Sequence, residues 1–241
     1  KGFSYFKRRV VIRELRDRLH GLSADLLFLQ EVQGVHDRHA GKFIDWPVKP
    51  QHEYIADSVW QEVVYGKNAV YQHGHHGNAF LSRFPIVTHE NMDISAHAFE
   101  SRGLLHCEVK LGPRRPALHC LNVHLGLFER GRQWQIRALC ERIRDTVPRD
   151  APLIIAGDFN DWRHKANRVL TDTLGVEEVF EAVRGRPART FPSVMPVFRL
   201  DRIYARGLRI VEAHVHYAYP GARLSDHAAL AATFDTLPRR R

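Results

Sequence analysis

Val11, Ile12, Leu15 and Leu19 recur at steps of three and four, the spacing of one helical face, so an amphipathic helix is expected to open the chain and stop near Gly21. Leu26–Val32 is an unbroken apolar run and reads as a buried strand. Residues 33–78 scatter His, Gly, Pro and Trp without a period and read as loop, with one short helix near Glu53–Trp60. From Ala79 the pattern changes. Ala79–Ser82, Ile86–Ile94, Leu104–Leu111 and Ala117–His124 are strand-like and separated by Pro and Gly at hairpin spacing. A second helix covers about Arg130–Thr146, with Trp134, Ala138, Ile143 and Val147 on its apolar side. The strand Leu153–Gly157 follows, then a helical region from about Lys165 to Val183. Leu200–Ala205, Leu208–His216 and Ala228–Phe234 read as three closing strands. Strands in series, interrupted by few helices, predict an α/β fold of two β-sheets packed as a sandwich with helices on the outer faces.

With 241 residues, no linker and no repeat, residues 1–241 are expected to form a single domain. The 44% hydrophobic and 26% charged composition excludes disordered, collagenous and coiled-coil classes. Apolar runs are strand-sized, so no membrane span is expected. A net charge of +9, before 16 histidines, favours polyanions: nucleic acid, anionic lipid headgroups or a phosphorylated substrate. An ordinary basic surface accounts for that charge equally well. Cys107, Cys120 and Cys140 form no CxxC pair and sit in apolar stretches, so they read as reduced packing residues. A cytoplasmic monomer is the expectation, with Arg239–Arg241 a solvated tail.

Five polar intrusions at the ends of apolar runs carry the candidate chemistry. In Leu153-Ile-Ile-Ala-Gly-Asp-Phe-Asn-Asp-Trp162, Asp158 and Asn160 stand two apart, the spacing that points both side chains to one side of an extended backbone. The carboxylate can hold a divalent cation or polarise a water, and the neutral amide can donate to a phosphate oxygen. Leu224-Ser-Asp-His-Ala228 places Asp226 beside His227 at a strand entrance, where a capping Asp and a half-buried His are the blander reading. Asp201, within Arg199-Leu-Asp-Arg-Ile-Tyr204, needs a partner if buried; an oriented histidine or a neighbouring Arg199 or Arg202 would serve. Glu31 ends the apolar run Leu26-Leu-Phe-Leu-Gln-Glu-Val32, and His124 ends Leu121-Asn-Val-His. Each has a mundane explanation as a satisfied polar group at a sheet edge. Together they suggest one site.

In this order, Q-E-V, G-N-A-x-L-S-R at Gly77–Arg83, N-V-H-L, G-D-F-N, L-D-R-I-Y and S-D-H resemble the endonuclease/exonuclease/phosphatase superfamily, and the Asn-Ala-Val-Tyr, Gly-His-His-Gly-Asn and Arg-Thr-Phe-Pro segments resemble its uncharacterised bacterial members. The resemblance runs from Lys1 to Phe234 and implies two mixed, mainly antiparallel sheets of the deoxyribonuclease I type. It also implies roles: Glu31 and Asp226 as metal-associated carboxylates, Asp158 aligning the attacking water, and Asn160 and Asn78 as phosphate-binding amides. His227 with Asp201 resembles the family's His–Asp pair at the reacting phosphate, and His124 a second histidine touching it. Abasic-site endonucleases of this fold have Tyr at the His124 position, which points away from that subgroup. The family's first strand carries an Asn in a motif like N-I-H-K-G; that strand is expected to precede Lys1-Gly2.

The resemblance implies a Mg²⁺- or Mn²⁺-dependent hydrolase of phosphoesters, most simply a phosphodiesterase. A nuclease acting on DNA or RNA is the alternative, and a non-catalytic phosphate-binding module a third. Nucleic acid fits the charge; a phospholipid or small phosphodiester fits Phe43, Trp46 and Trp60 in the early loops, residues more often found in a core. Gln72-His-Gly-His-His-Gly77 offers a zinc-like H-x-H-H, but its glycines and lack of companion ligands favour a flexible loop at the rim of the site.

Overall fold

The computed structural model describes residues 3–4, 9–36, 46–47, 49–217 and 224–236. A small ribbon of β1 (Phe3–Ser4) and β2 (Arg9–Val10) precedes α1 (Ile12–Gly21). β3 (Leu26–His36), β4 (Glu62–Tyr71) and β5 (Gly74–Ser82) then form an antiparallel sheet with β5 in the middle, and α2 (Gln51–Ala56) lies between β3 and β4 in sequence. The larger sheet takes β6 (Ile86–Asp93), β7 (Gly103–Val109), β8 (Leu118–His124), β9 (Leu153–Asp158), β10 (Glu177–Glu178) and β11 (Asp201–Arg206), in the order β10-β11-β9-β8-β7-β6. Only β8 and β9 run parallel within it, and the crossover they require is α3 (Glu129–Thr146). α4 (Ala166–Leu174) and α5 (Val179–Arg184) separate β9 from β11, and β12 (Leu208–His216) pairs with β13 (Ala229–Thr236) as a hairpin.

The layers follow from strand alternation. On β5, Ala79 and Leu81 face α1 and α2, where they pack with Ile12, Leu19, Ile55 and Trp60. Phe80 faces the other way, into a core shared with Cys107, Cys120, Ile154 and Ala156 of the larger sheet. The outer face of that sheet, through Leu121, Val123, Leu153 and Ile155, packs under Leu139, Cys140 and Ile143 of α3. The result is helix, sheet, sheet, helix, the sandwich expected from the sequence. All three cysteines are buried and free. No helix among the described residues is long and apolar enough to cross a membrane.

Several expectations need correction. The stretch 33–78 is not mainly loop, because β3 runs to His36 and β4 with the first half of β5 fill Glu62–Gly77. Gly66, Lys67 and Asn68 interrupt apolar alternation on β4, a strand with one partner whose buried positions are only Val64 and Gly66. The helical region after Lys165 is two helices, parted at Gly175 with φ +63°. α3 is rotated from its expected face: Arg132 and Gln135 are buried and Trp134 is 47% exposed. Trp60 is core, its indole N–H donating to Ala24 O at 2.9 Å. Phe43 and the Arg239–Arg241 tail lie outside the described residues.

A groove of about 1920 Å³ runs along the edge of β3 that has no strand partner among the described residues and separates it from the β12–β13 hairpin, so the sheets are not closed. Its walls include Leu26, Phe28, Ile154, Leu230 and Phe234, and Glu31, Asp201 and His227 also line it.

The imidazoles of His106 on β7 and His119 on β8 meet at 3.0 Å under α3, both buried. One ring must accept, so the pair is built for neutral histidine. Burial first, and the neighbouring His119 second, push His106 down to about 4. Because the folded value lies below the ordinary 6.5, this pair's contribution to stability is intact above 6.5 and is lost as pH falls through about 4. Urea midpoints measured across that window should decline with acidification, and His106→Leu should flatten the decline.

Candidate active site

The face of the larger sheet that meets β5 reads, strand by strand, apolar until its last residue. On β8 the inward positions are Cys120, Asn122 and His124; on β9 they are Ile154, Ala156 and Asp158; on β11, Ile203 is followed toward the same end by Asp201. Register places His124 beside Asp158, and Asp158 opposite Asp201. Three polar side chains thus crown one sheet end. Gly157 makes the approach possible: its φ is +146°, and a Cβ there would sit 1.9 Å from Val123 O.

Beyond Asp158 the chain turns. Asn160, at φ +47°, donates its backbone N–H to Asp158 Oδ1 at 2.9 Å and its amide to Leu125 O at 2.9 Å and Asp158 Oδ2 at 3.2 Å. The two side chains therefore do not simply point out of an extended strand together. Asn160 is buried and spends its amide hydrogens on holding Asp158.

His227 Nδ1 lies 2.8 Å from Asp201 Oδ2, so the partner of Asp201 is the histidine and not Arg199 or Arg202. Ligand atoms of Asp158, Asp201 and His227 all fall within 4.8 Å of one another. Burial and then the charge of Asp201 raise Asp158 to about 7. Burial alone would lower His227, but the bond to Asp201 and its charge, with Asp158, more than offset that and lift it to about 9. His124 sits 3.5 Å from Asp158; burial first and Arg102 second push it down to about 3, so its ring is neutral. Two carboxylates forced together in a dry place, with imidazoles around them, are a donor set that a hard divalent cation relieves.

The opposite wall is β3. Its pairing with β5 slips between Leu29 and Val32, and within this bulge Glu31 has φ +55°. A bulge re-aims a side chain, and the charge of Glu31 reaches His124. Asp226 is exposed beside His227 and raises it further, while its backbone oxygen accepts from Ser193 N at 2.7 Å. Glu31 and Asp226 stand outside the tight Asp158–Asp201–His227 group.

Asn78 needs a different account from a phosphate-binding amide. It is completely buried, and its amide donates to Gly103 O at 3.0 Å and Asn122 O at 3.3 Å, joining β5 to β7 and β8. Asn122 answers from the other sheet, donating to Leu29 O at 3.0 Å and Ala79 O at 2.9 Å and accepting from Gln30 at 2.6 Å. Sequence reading overlooked Asn122 and Gln30, although an Asn inside Leu121-Asn-Val-His was a visible signal. Arg102, whose Nε donates to Leu125 O at 3.2 Å, gave no signal at all. The His-Gly-His-His segment is not a loop at the rim. Gly74–Gly77 are strand, His75 pairs with the Tyr65 hydroxyl at 3.0 Å, and these histidines form no metal-ligand group among the described residues.

Two outcomes follow from this geometry. Asp201→Asn should move the His227 titration, followed by NMR in chelator, downward from about 9. Asn122→Leu should take a donor from the Leu29 and Ala79 carbonyls and leave the Gln30 amide only its bond to Phe28 O, at a cost on the order of 3 kcal/mol in urea denaturation.

The sequence profile of the Endonuclease/Exonuclease/phosphatase family matches residues 7–227. The uncharacterized protein YbhP of Escherichia coli (strain K12) is 46% identical over 235 residues, covering 96% of this chain and 91% of the relative. A crystal structure of an endonuclease/exonuclease/phosphatase from Beutenbergia cavernae superposes with a TM-score of 0.69 at 17% identity, covering 93% of this chain and 66% of that one, so this chain spans just under two thirds of its length. TDP2 of D. rerio, solved in complex with a single strand DNA product, superposes with a TM-score of 0.70 at 21% identity, covering 93% and 91% of the two chains. At such identities the two structures speak for the fold.

Proposed function

Because the chain belongs to the Endonuclease/Exonuclease/phosphatase family, whose members are hydrolases acting on phosphoesters, we propose that it is a divalent-cation-dependent phosphodiesterase working at the strand end crowned by Asp158, His124, Asp201 and His227. The observation that carries this reading is the Asp158–Asp201–His227 group, gathered within 4.8 Å from three distant parts of the sequence. Mg²⁺ or Mn²⁺, when bound, would neutralise charge on the phosphate and on the leaving oxygen. Glu31 and Asp226 are the carboxylates we assign to hold it, beside the Asp158–Asp201–His227 group.

The protein's own groups divide the remaining work. Asp158, held by two hydrogen bonds from the backbone N–H and side-chain amide of Asn160, accepts a proton from water and aligns that water for in-line attack. Asp201 fixes the orientation of the His227 ring through Nδ1. His227 is cationic below about 9, so it donates to a non-bridging oxygen as negative charge develops there. His124 supplies a neutral N–H from the other side. Asn78, with its amide committed between strands, acts by holding β5 against β7 and β8 beneath the phosphate.

A nuclease is the second reading, favoured by the +9 charge, which would make binding to DNA or RNA steeply salt-dependent. Loss of turnover in a phosphate-binding module would be expected to erode the chemical positions. Glu31, Asp158, Asn160, Asp201, Asp226 and His227 all carry functional side chains.

The test is hydrolysis of bis-p-nitrophenyl phosphate, plasmid DNA and phospholipid with Mg²⁺, each with and without EDTA. Activity abolished by EDTA, and lowered by about two to four orders of magnitude in Asp158→Ala and His227→Ala, is expected. Most activity surviving in either folded variant would overturn the assigned roles.

A further inference from the structure

Four loops leave the same end of the larger sheet: 94–102 before β7, 125–128 after β8, 159–165 after β9 and 185–200 before β11. They surround the residues of the candidate site, and they turn apolar side chains outward. Phe99 is 99% exposed, Met195 72% and Phe128 71%, and Leu127, Trp162 and Phe198 are open beside them. Loops at the opposite end, 83–85, 110–117 and 147–152, present no comparably exposed large apolar side chain among the described residues. The asymmetry is confined to the end that carries the chemistry.

These tips are held out, not frayed. Arg132, almost fully buried, donates to Gly126 O at 3.1 Å and Leu127 O at 2.8 Å. Gln135 accepts from Gly126 N at 2.7 Å and donates to Glu100 at 2.8 Å, and Glu100 in turn accepts from Ala96 N at 2.9 Å. The loops thus hold several large apolar side chains out to solvent at one end of the sheet, a grouping that marks a contact surface. Arg130, Arg163, Lys165 and Arg189 are exposed on or beside the same loops.

We propose that this face docks on an anionic lipid surface, with Phe99, Leu127, Phe128 and Met195 entering the headgroup layer while the basic side chains meet lipid phosphates. Nucleic acid is the poorer fit, because it offers phosphates and flat bases but no apolar medium for Leu127 or Met195. A headgroup phosphodiester would then lie in front of Asp158 and His227; that substrate assignment rests on the hydrolase reading above, whereas docking does not.

The experiment is co-sedimentation of the intact chain, in EDTA, with vesicles of phosphatidylcholine alone and of phosphatidylcholine with phosphatidylglycerol, beside a single-stranded oligodeoxynucleotide binding assay. The expected result is binding to the mixed vesicles well above that to phosphatidylcholine, falling at least about tenfold in a Phe99→Ser, Phe128→Ser, Met195→Ser variant. Val87→Ser, which removes a 58% exposed side chain on β6, should bind as the unaltered protein does. The substituted positions are open to solvent, so urea midpoints should stay unchanged. Protein left in the supernatant by every vesicle, a triple variant that sediments like the parent, or binding to the oligonucleotide alone would each overturn the proposal. With EDTA present, vesicle binding without hydrolysis elsewhere would sink only the enzymatic reading.

Discussion

The interlock of Asn78 and Asn122 is the joint on which the rest depends. Each amide crosses from its own sheet to backbone carbonyls of the other, Asn78 toward Gly103 and Asn122, Asn122 toward Leu29 and Ala79. Apolar packing between sheets resists separation but tolerates sliding, because dispersion has little direction. Directional bonds between buried amides fix the offset. Asn122 lies two residues before His124, and Leu29 two before Glu31, so the joint sets how far the candidate metal carboxylate stands from the imidazole.

Above that joint, electrostatics are arranged by depth. Asp158 is buried and raised, His124 is buried and lowered, and His227, with Asp201 against its ring, is raised. One neutral imidazole and one cationic imidazole thus flank a carboxylate that readily exchanges a proton. Burial lowers both histidines; at His124 Arg102 adds to it, whereas at His227 the bond to Asp201 and its charge more than offset it. No rearrangement is required to set these states, which is the economy of a preorganised polar site.

Much of this was legible because a carboxylate or imidazole at the end of an apolar run is costly unless employed. Asp158, Asp201, His124 and His227 were found that way, and the register of β8, β9 and β11 brings them together. Partnerships made across the sandwich were not legible. Nothing local tells Asn78 that its amide will be spent on β7 and β8, or Asn160 that a left-handed turn will fold its side chain back to Asp158. β4 escaped notice because an edge strand buries few residues and so carries little alternation, and Trp134 misled because α3 buries Ile136, Leu139, Cys140 and Ile143 together with Arg132 and Gln135, which leaves Trp134 on the open side.

The parallel pairing of β8 with β9 has a corollary. Parallel strands cannot be joined by a tight turn, so Asp158 reaches His124 only across the crossover that holds α3. His227 and Asp201 must then meet across a further separation of 26 residues. Apart from the local bonds of Asn160 to Asp158, the contacts that build the centre are long-range, and loop closure must be completed before they stabilise the chain. Such a centre therefore depends on the whole sandwich being closed, and no local piece of the chain can hold it alone.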